Sequence, residues 1–319
     1  MLKYLSRKIA LQWIILLGLF ALALFTILTK SQVVNLEGAP FLFQNFVCLF
    51  AQYEYLGKGI IIAGLCLQIL LLQYYFRTRE YAAKNSLLPT CFYLSILLLT
   101  KSLIFISPFF FTLFFLLIII SINFTGSSVK LKNNVFWAGI IIACASAFDT
   151  SSIILIFLVI VMLIINQYSR IKEIGILLFG FLLLYFYFFA FHFFINDLND
   201  WILTFKQIKI MEILSTPVKN MTIPLISLLV LTIIYLFFII KFKLLSDAKI
   251  MILRNRVITL NAISILILFC LLLSNSSYPD VLGYLFVSIS IYLAMLAQEK
   301  SSLFMNEIIT LITLIALWL

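Results

Sequence analysis

What most constrains this chain is the length of its unbroken apolar runs. In order they are Ile9–Leu28, Gly59–Phe76, Leu87–Thr100, Leu103–Asn123, Val135–Phe148, Ile153–Gln167, Ile174–Ile195, Ile223–Ile240, Val257–Leu273, Val281–Ala297 and Leu303–Leu319. A bilayer span needs about 20 apolar residues. In lipid the backbone must satisfy its own polar groups, so each run is expected to be a helix. The expected fold is an all-α, polytopic transmembrane helix bundle of about eleven spans, within a range of about ten to twelve. With 65% hydrophobic and 11% charged residues, the chain falls far outside soluble composition, where about 25% of residues are charged. Disorder, collagen and a secreted disulfide scaffold are excluded on the same ground.

The formal charge of +10 raises the question of a nucleic-acid partner, and its placement answers it. With the N-terminus in the cytoplasm, the segments Arg77–Lys84, Lys130–Asn134, Arg170–Glu173 and Lys241–Arg256 fall inside, with Lys3, Arg7, Lys8 and Lys300. That side holds sixteen of the 22 lysines and arginines, including every arginine. Lys30, Lys58, Lys101, Lys206, Lys209 and Lys219 fall outside. The bias follows the positive-inside rule, so the basic charge reads as topology and no nucleic acid is implied. The acids lean the other way, with Glu37, Glu54, Asp149, Asp197, Asp200, Glu212 and Asp280 outside.

The first apolar run is longer than the core of a cleaved signal peptide and is followed by no small-residue cleavage site before Lys30, so it is expected to stay as a helix. Nothing in composition divides the chain, which reads as a single membrane domain over residues 1–319. The five cysteines are scattered without a CxxC pair, and His192 is the one histidine. Neither a metal site nor a cofactor is expected from that donor set. No nucleotide-binding or hydrolase motif is present.

Three stretches depart from the span-and-turn pattern. Ser31–Lys58 carries PFLFQNFVCLFAQYEYLGK, apolar but broken by Gln44, Asn45, Gln52 and Glu54, and reads as an interfacial or re-entrant helix on the outer face. In Val135–Gln167 the sequence FDTSS divides two pieces too short for a ~30 Å core. They form either two short crossings or a re-entrant hairpin that puts Asp149 at membrane depth. In Asn196–Met221, Trp201, Ile202, Phe205 and Ile208 fall at helical spacing among charges, the pattern of an amphipathic helix on the outer leaflet.

Three residues are candidates for catalytic chemistry. Glu37, in NLEGAP, occupies a first outer loop, where integral-membrane glycosyltransferases using polyprenyl-phosphate sugars carry an acid; a lone loop glutamate is equally read as solvated surface. No arginine lies outside to grip a lipid phosphate, so Lys58, Lys206 or Lys209 would serve as point charges. Asp149 is either a functional intramembrane acid or, with Thr150, Ser151 and Ser152, the cap of a helix beginning at Ile153. His192, five residues before Asp197, is either a general base oriented by a carboxylate or an interfacial ring beside a helix end.

The run NSLLPTCFYLSILLLTKSLIFISPFFFTLFFLLIIISIN, then WAGIIIACASAFDTSSIILIFLVIVMLII, the basic turn SRIKE and GILLFGFLLLYFYFFAFHFFIND resemble an uncharacterised multi-spanning inner-membrane protein family of Bacteroidetes bacteria. The resemblance covers about half the chain and implies an inner-membrane location with an envelope role. The expected function is envelope biogenesis, acting in a glycosyltransferase-like way on a lipid-linked substrate at the outer leaflet. The alternatives are a non-enzymatic assembly scaffold, which would dock membrane protein partners, and a secondary transporter coupled through Asp149. Besides the bilayer, the expected partner is a polyprenyl-phosphate-linked or other lipidic substrate.

Overall fold

A computed structural model describes residues 8–29, 33–34, 43, 53–78, 86–99, 105–106, 108–122, 128–149, 152–153, 155–165, 171–195 and 284–298. Among these, eight helices account for nearly all of the chain: α1 Ile9–Thr29, α2 Glu54–Thr78, α3 Leu88–Leu99, α4 Pro108–Ser121, α5 Ser128–Phe148, α6 Leu155–Ile165, α7 Ile171–Ile195 and α8 Tyr284–Gln298. Two short extended pieces, β1 Val33–Val34 and β2 Phe105–Ile106, pair in parallel, with Val33 opposite Phe105 and Val34 opposite Ile106. Four stretches, Ile9–Thr29, Tyr55–Thr78, Val129–Phe148 and Ile171–Phe194, are long and apolar enough to cross a membrane. The described residues are those of a predominantly helical membrane protein. The expected runs Ile223–Ile240, Val257–Leu273 and Leu303–Leu319, and the amphipathic segment Asn196–Met221, lie outside the described residues.

Cross-helix hydrogen bonds fix which helix ends meet. At the end where α1 begins, here the lower end, the Gln12 Oε1 accepts from the Leu87 N–H at 2.7 Å, and the Gln73 Nε2 donates to the Ser86 carbonyl at 2.9 Å. At the upper end the Lys58 Nζ donates to the Leu28 carbonyl at 3.1 Å. So α1 and α3 run upward and α2 runs downward between them.

The core is built around α3 and α8, which pack on each other. Neither has a fully exposed residue among those whose burial is described, and Phe286–Met295 of α8 is buried on every side. Both are apolar all round, so neither has a face that prefers solvent and both can sit in the middle. Their hydroxyls turn back onto their own helix: Thr90 Oγ1 donates to the Leu87 carbonyl and Ser290 Oγ to the Val287 carbonyl. Such back-bonding satisfies a buried hydroxyl without a partner helix.

The two runs expected as full spans around Lys101 form shorter helices, α3 with 12 residues and α4 with 14. At 1.5 Å per residue these are about 18 and 21 Å long. Lys101 itself lies outside the described residues. In contrast, α5 begins seven residues before the expected start at Val135. Lys130 and Lys132 therefore sit on helix rather than in a turn; both are exposed while Leu131 between them is buried. A helix can run past the apolar layer when its charged side chains all leave on the outer side.

Helices α5 and α7 pack side by side in parallel, with α6 as the return between them. Their approach is close because two glycines meet it. A Cβ on Gly180 would fall 2.5 Å from the Phe136 carbonyl oxygen, and one on Gly139 would overlap the Leu177 carbonyl. Gly139 and Ala143 are four apart, the small-residue spacing that lets membrane helices touch backbone to backbone.

Candidate functional site

Residue by residue, the start of α4, the end of α5 and Phe43 meet at one level. The Phe148 ring at the end of α5 stacks on Phe111 of α4, with centroids 5.2 Å apart. Phe111 in turn meets Phe43 edge-on at 6.3 Å. Phe43 belongs to the expected interfacial or re-entrant stretch and is buried, so at that residue the stretch enters the protein interior.

Asp149 follows Phe148 directly and is half-buried. Its N–H donates to the Ala145 carbonyl at 2.9 Å, closing the last turn of α5. Its own carbonyl accepts twice from Ser152, from the N–H at 3.0 Å and from Oγ at 2.7 Å. The sequence suggested a cap for a helix at Ile153. In the structure a tight turn covers residues 152–153 and α6 starts at Leu155. The Asp149 backbone thus closes α5 with its N–H and accepts the first bond of the turn at 152–153 with its carbonyl.

His192 lies in the last turn of α7 and is 4% exposed. Its neighbours Phe189, Phe191, Phe193 and Phe194 are exposed. The imidazole therefore faces protein while the phenylalanines around it face outward. Below it on the same inward stripe are Gly180, Leu177 and, in the first turn, Glu173, all buried. Glu173 Oε2 has no hydrogen-bond partner among the described residues.

The packing register relates the two candidates. Phe136 meets Gly180, Gly139 meets Leu177 and Phe181, and Ser146 Oγ bonds the Tyr185 hydroxyl at 2.7 Å. Because the Ser146 hydroxyl already donates to the Ala143 carbonyl at 2.9 Å, Tyr185 is the donor. Each α5 residue therefore sits level with an α7 residue about 40 positions later, since equal rise per residue keeps parallel helices in step. Asp149 and His192 consequently belong to the same end of the pair, one and two turns beyond the hydroxyl pair on their respective helices. Glu37 lies outside the described residues, three positions after β1 in sequence. Of the lysines considered for a lipid phosphate, Lys58 ties α2 to the end of α1, and Lys206 and Lys209 lie outside the described residues.

An acid and an imidazole at one end can share proton-transfer work. Among the described residues no cluster of three metal-ligating side chains exists. Sequence reasoning passed over Gln12, Gln68, Gln73 and Glu173. For the glutamines the signal was present: each is an amide within an apolar run, and an amide in lipid must find a partner elsewhere in the protein.

No family model, curated protein or solved structure matches this chain.

Proposed function

We propose that the protein works in the bacterial inner membrane in envelope biogenesis, handling a lipid-linked substrate at the outer leaflet. In this reading the lower end is cytoplasmic, in line with the basic residues of the sequence, and the upper end faces out. The observation that carries the reading is His192, buried in the last turn of α7 among exposed rings, at the same end of the α5–α7 pair as Asp149. Ionisable groups turned into a membrane protein are costly and mark functional sites. Asp149 and His192 act as the acid–base pair, with Glu37 as a further acid from the outer loop. The substrate class is a polyprenyl-phosphate sugar, its lipid tail in the bilayer and its phosphate and sugar reaching down to the end of α5.

The test is sugar release or transfer from a radiolabelled polyprenyl-phosphate hexose by the purified full chain in vesicles of defined sidedness. Consumption is expected only with the upper end accessible, and loss in both Asp149→Asn and His192→Ala at unchanged abundance. An inert wild-type protein, or full activity in both variants, sinks the reading.

A further inference from the structure

One buried amide touches both arms of the α3–β2–α4 segment. The Tyr93 hydroxyl of α3 donates to Gln68 Oε1 at 2.9 Å, and Gln68 Nε2 donates to the Phe110 carbonyl of α4 at 2.9 Å. Gln68 and Tyr93 are wholly buried. The same contact reports depth. Phe110 lies against Gln68 and also against Gly64, where an added Cβ would fall 2.9 Å from its ring. Those positions are ten and fourteen residues into α2, which starts at Glu54. At 1.5 Å per residue, α4 therefore begins about 15–21 Å below the upper start of α2.

Buried residues on α2 run from Ile61 and Leu65 through Leu72, Tyr75 and Phe76, whereas Tyr53, Tyr55 and Leu56 at its upper end are exposed. The short helices thus cover the lower part of α2 and stop beneath its top. The start of α3 is also inside the protein. Ser86, Leu87, Leu88 and Thr90 are all buried, and the free N–H of Leu87 is met by Gln12 from α1. Helix ends and irregular backbone at membrane depth persist only where protein or trapped water satisfies them.

We propose that α3 and α4 form a re-entrant hairpin that turns within the bundle, and that Gln68 is the clamp that sets its opening. One amide, accepting from one arm and donating to the other, holds both at fixed separation. Loss of that amide releases the turn, including β2 and its pairing with β1. The clamp is a positioning device, independent of which substrate the upper end handles.

The test uses the full chain in native membranes, with the five native cysteines replaced and single cysteines placed at Ile106 or Tyr53. A small membrane-impermeant thiol reagent is applied. In the parent, Ile106→Cys should label far more slowly than Tyr53→Cys; equal rates would place the turn at the surface and overturn the hairpin. Adding Gln68→Leu should speed Ile106→Cys labelling about tenfold and Tyr93→Phe about threefold, as expected for losing two interhelical bonds or one. Both changes together should match Gln68→Leu alone, because the Tyr93 bond no longer exists. Additive effects, or unchanged labelling in Gln68→Leu, overturn the clamp. If Gln68→Leu does not accumulate, Gln68→Asn replaces it, keeping the amide but falling one methylene short of bridging both arms.

Discussion

The helices around α3 and the α5–α7 pair solve the same problem in different ways. Around α3, cohesion comes from amide side chains reaching across: Gln12 to Leu87, Gln73 to Ser86, and Gln68 to Tyr93 and Phe110. Between α5 and α7 it comes from missing side chains, with Gly139 and Gly180 letting the backbones touch. Lipid tails are as apolar as leucine, so burying apolar surface does little to join two membrane helices. What remains is hydrogen bonding or close packing, and each region relies mainly on one of them. The hydrogen-bonded region can contain helix ends below the surface, because side chains are there to satisfy them. The glycine-packed pair runs unbroken for 21 and 25 residues.

The largest effect should come from filling the glycine contact. Gly139→Ala drives a methyl group into the Leu177 carbonyl, and backbone cannot step aside as a side chain would. We expect a loss of about 1–3 kcal/mol, seen as a lower unfolding midpoint in mild detergent. The control sharpens the point. A Cβ on Gly18 or Gly175 meets nothing within 4 Å, so Gly18→Ala and Gly175→Ala should stabilise by about 0.5–1 kcal/mol through chain entropy alone. Equal shifts for all three would show that α5 and α7 do not touch at Gly139.

Next comes the hydrogen-bonded side. Gln12→Leu keeps the bulk at the foot of α1 but leaves the buried Leu87 N–H without its acceptor. An unsatisfied buried donor costs about 1–3 kcal/mol. Gln12→Glu keeps an acceptor in place and should lose less. If Gln12→Leu is silent, α3 does not begin inside the protein.

These two regions were unequally legible in the sequence. Each of the eight described helices falls on an apolar run, because hydrophobic length directly reports the need to satisfy backbone in lipid. The start of α1 at Ile9 and the ends of α5 at Phe148 and α7 at Ile195 coincide with the expected boundaries. Depth was not legible. An apolar count treats Leu87–Asn123 as two crossings, and nothing local to that stretch says that Phe110 lies beside Gly64 and Gln68. The β1–β2 pairing joins residues some 70 positions apart, beyond any local periodicity. Asp149 and His192 were visible as isolated polar residues, but their common end follows from the α5–α7 register, which is set by glycines that sequence reading treated as ordinary. FDTSS reads as a helix start because Asp and Ser cap well, and the Asp149 carbonyl accepts from the Ser152 N–H and Oγ at the turn that follows.

A smaller effect should follow from the one hydroxyl pair between α5 and α7. Tyr185→Phe removes its bond to Ser146 while Ser146 keeps the Ala143 carbonyl. Interhelical hydrogen bonds in membranes average about 0.6 kcal/mol, and no buried donor is stranded. We expect a loss of that order, and none beyond it when Ser146→Ala is added. A loss as large as that of Gly139→Ala would mean that hydrogen bonding, not glycine packing, holds this pair.

The smallest effect belongs to the outward face of α7. Phe186 and Phe193 are 64% and 61% exposed, on a helix that touches α5 through the opposite stripe of Leu177 and Gly180. If lipid covers that face, exchanging one apolar side chain for another changes little, because ring and tail are equally at home among acyl chains. Phe186→Leu and Phe193→Leu should each shift stability by less than about 0.5 kcal/mol. His192→Phe, on the inward stripe between them, places a larger ring where a buried imidazole now sits, and it should cost more than either. Unfolding midpoints of the three variants measured side by side decide the matter. If His192→Phe is as silent as its neighbours, the imidazole is not turned into the protein, and the proposed acid–base pair loses its histidine.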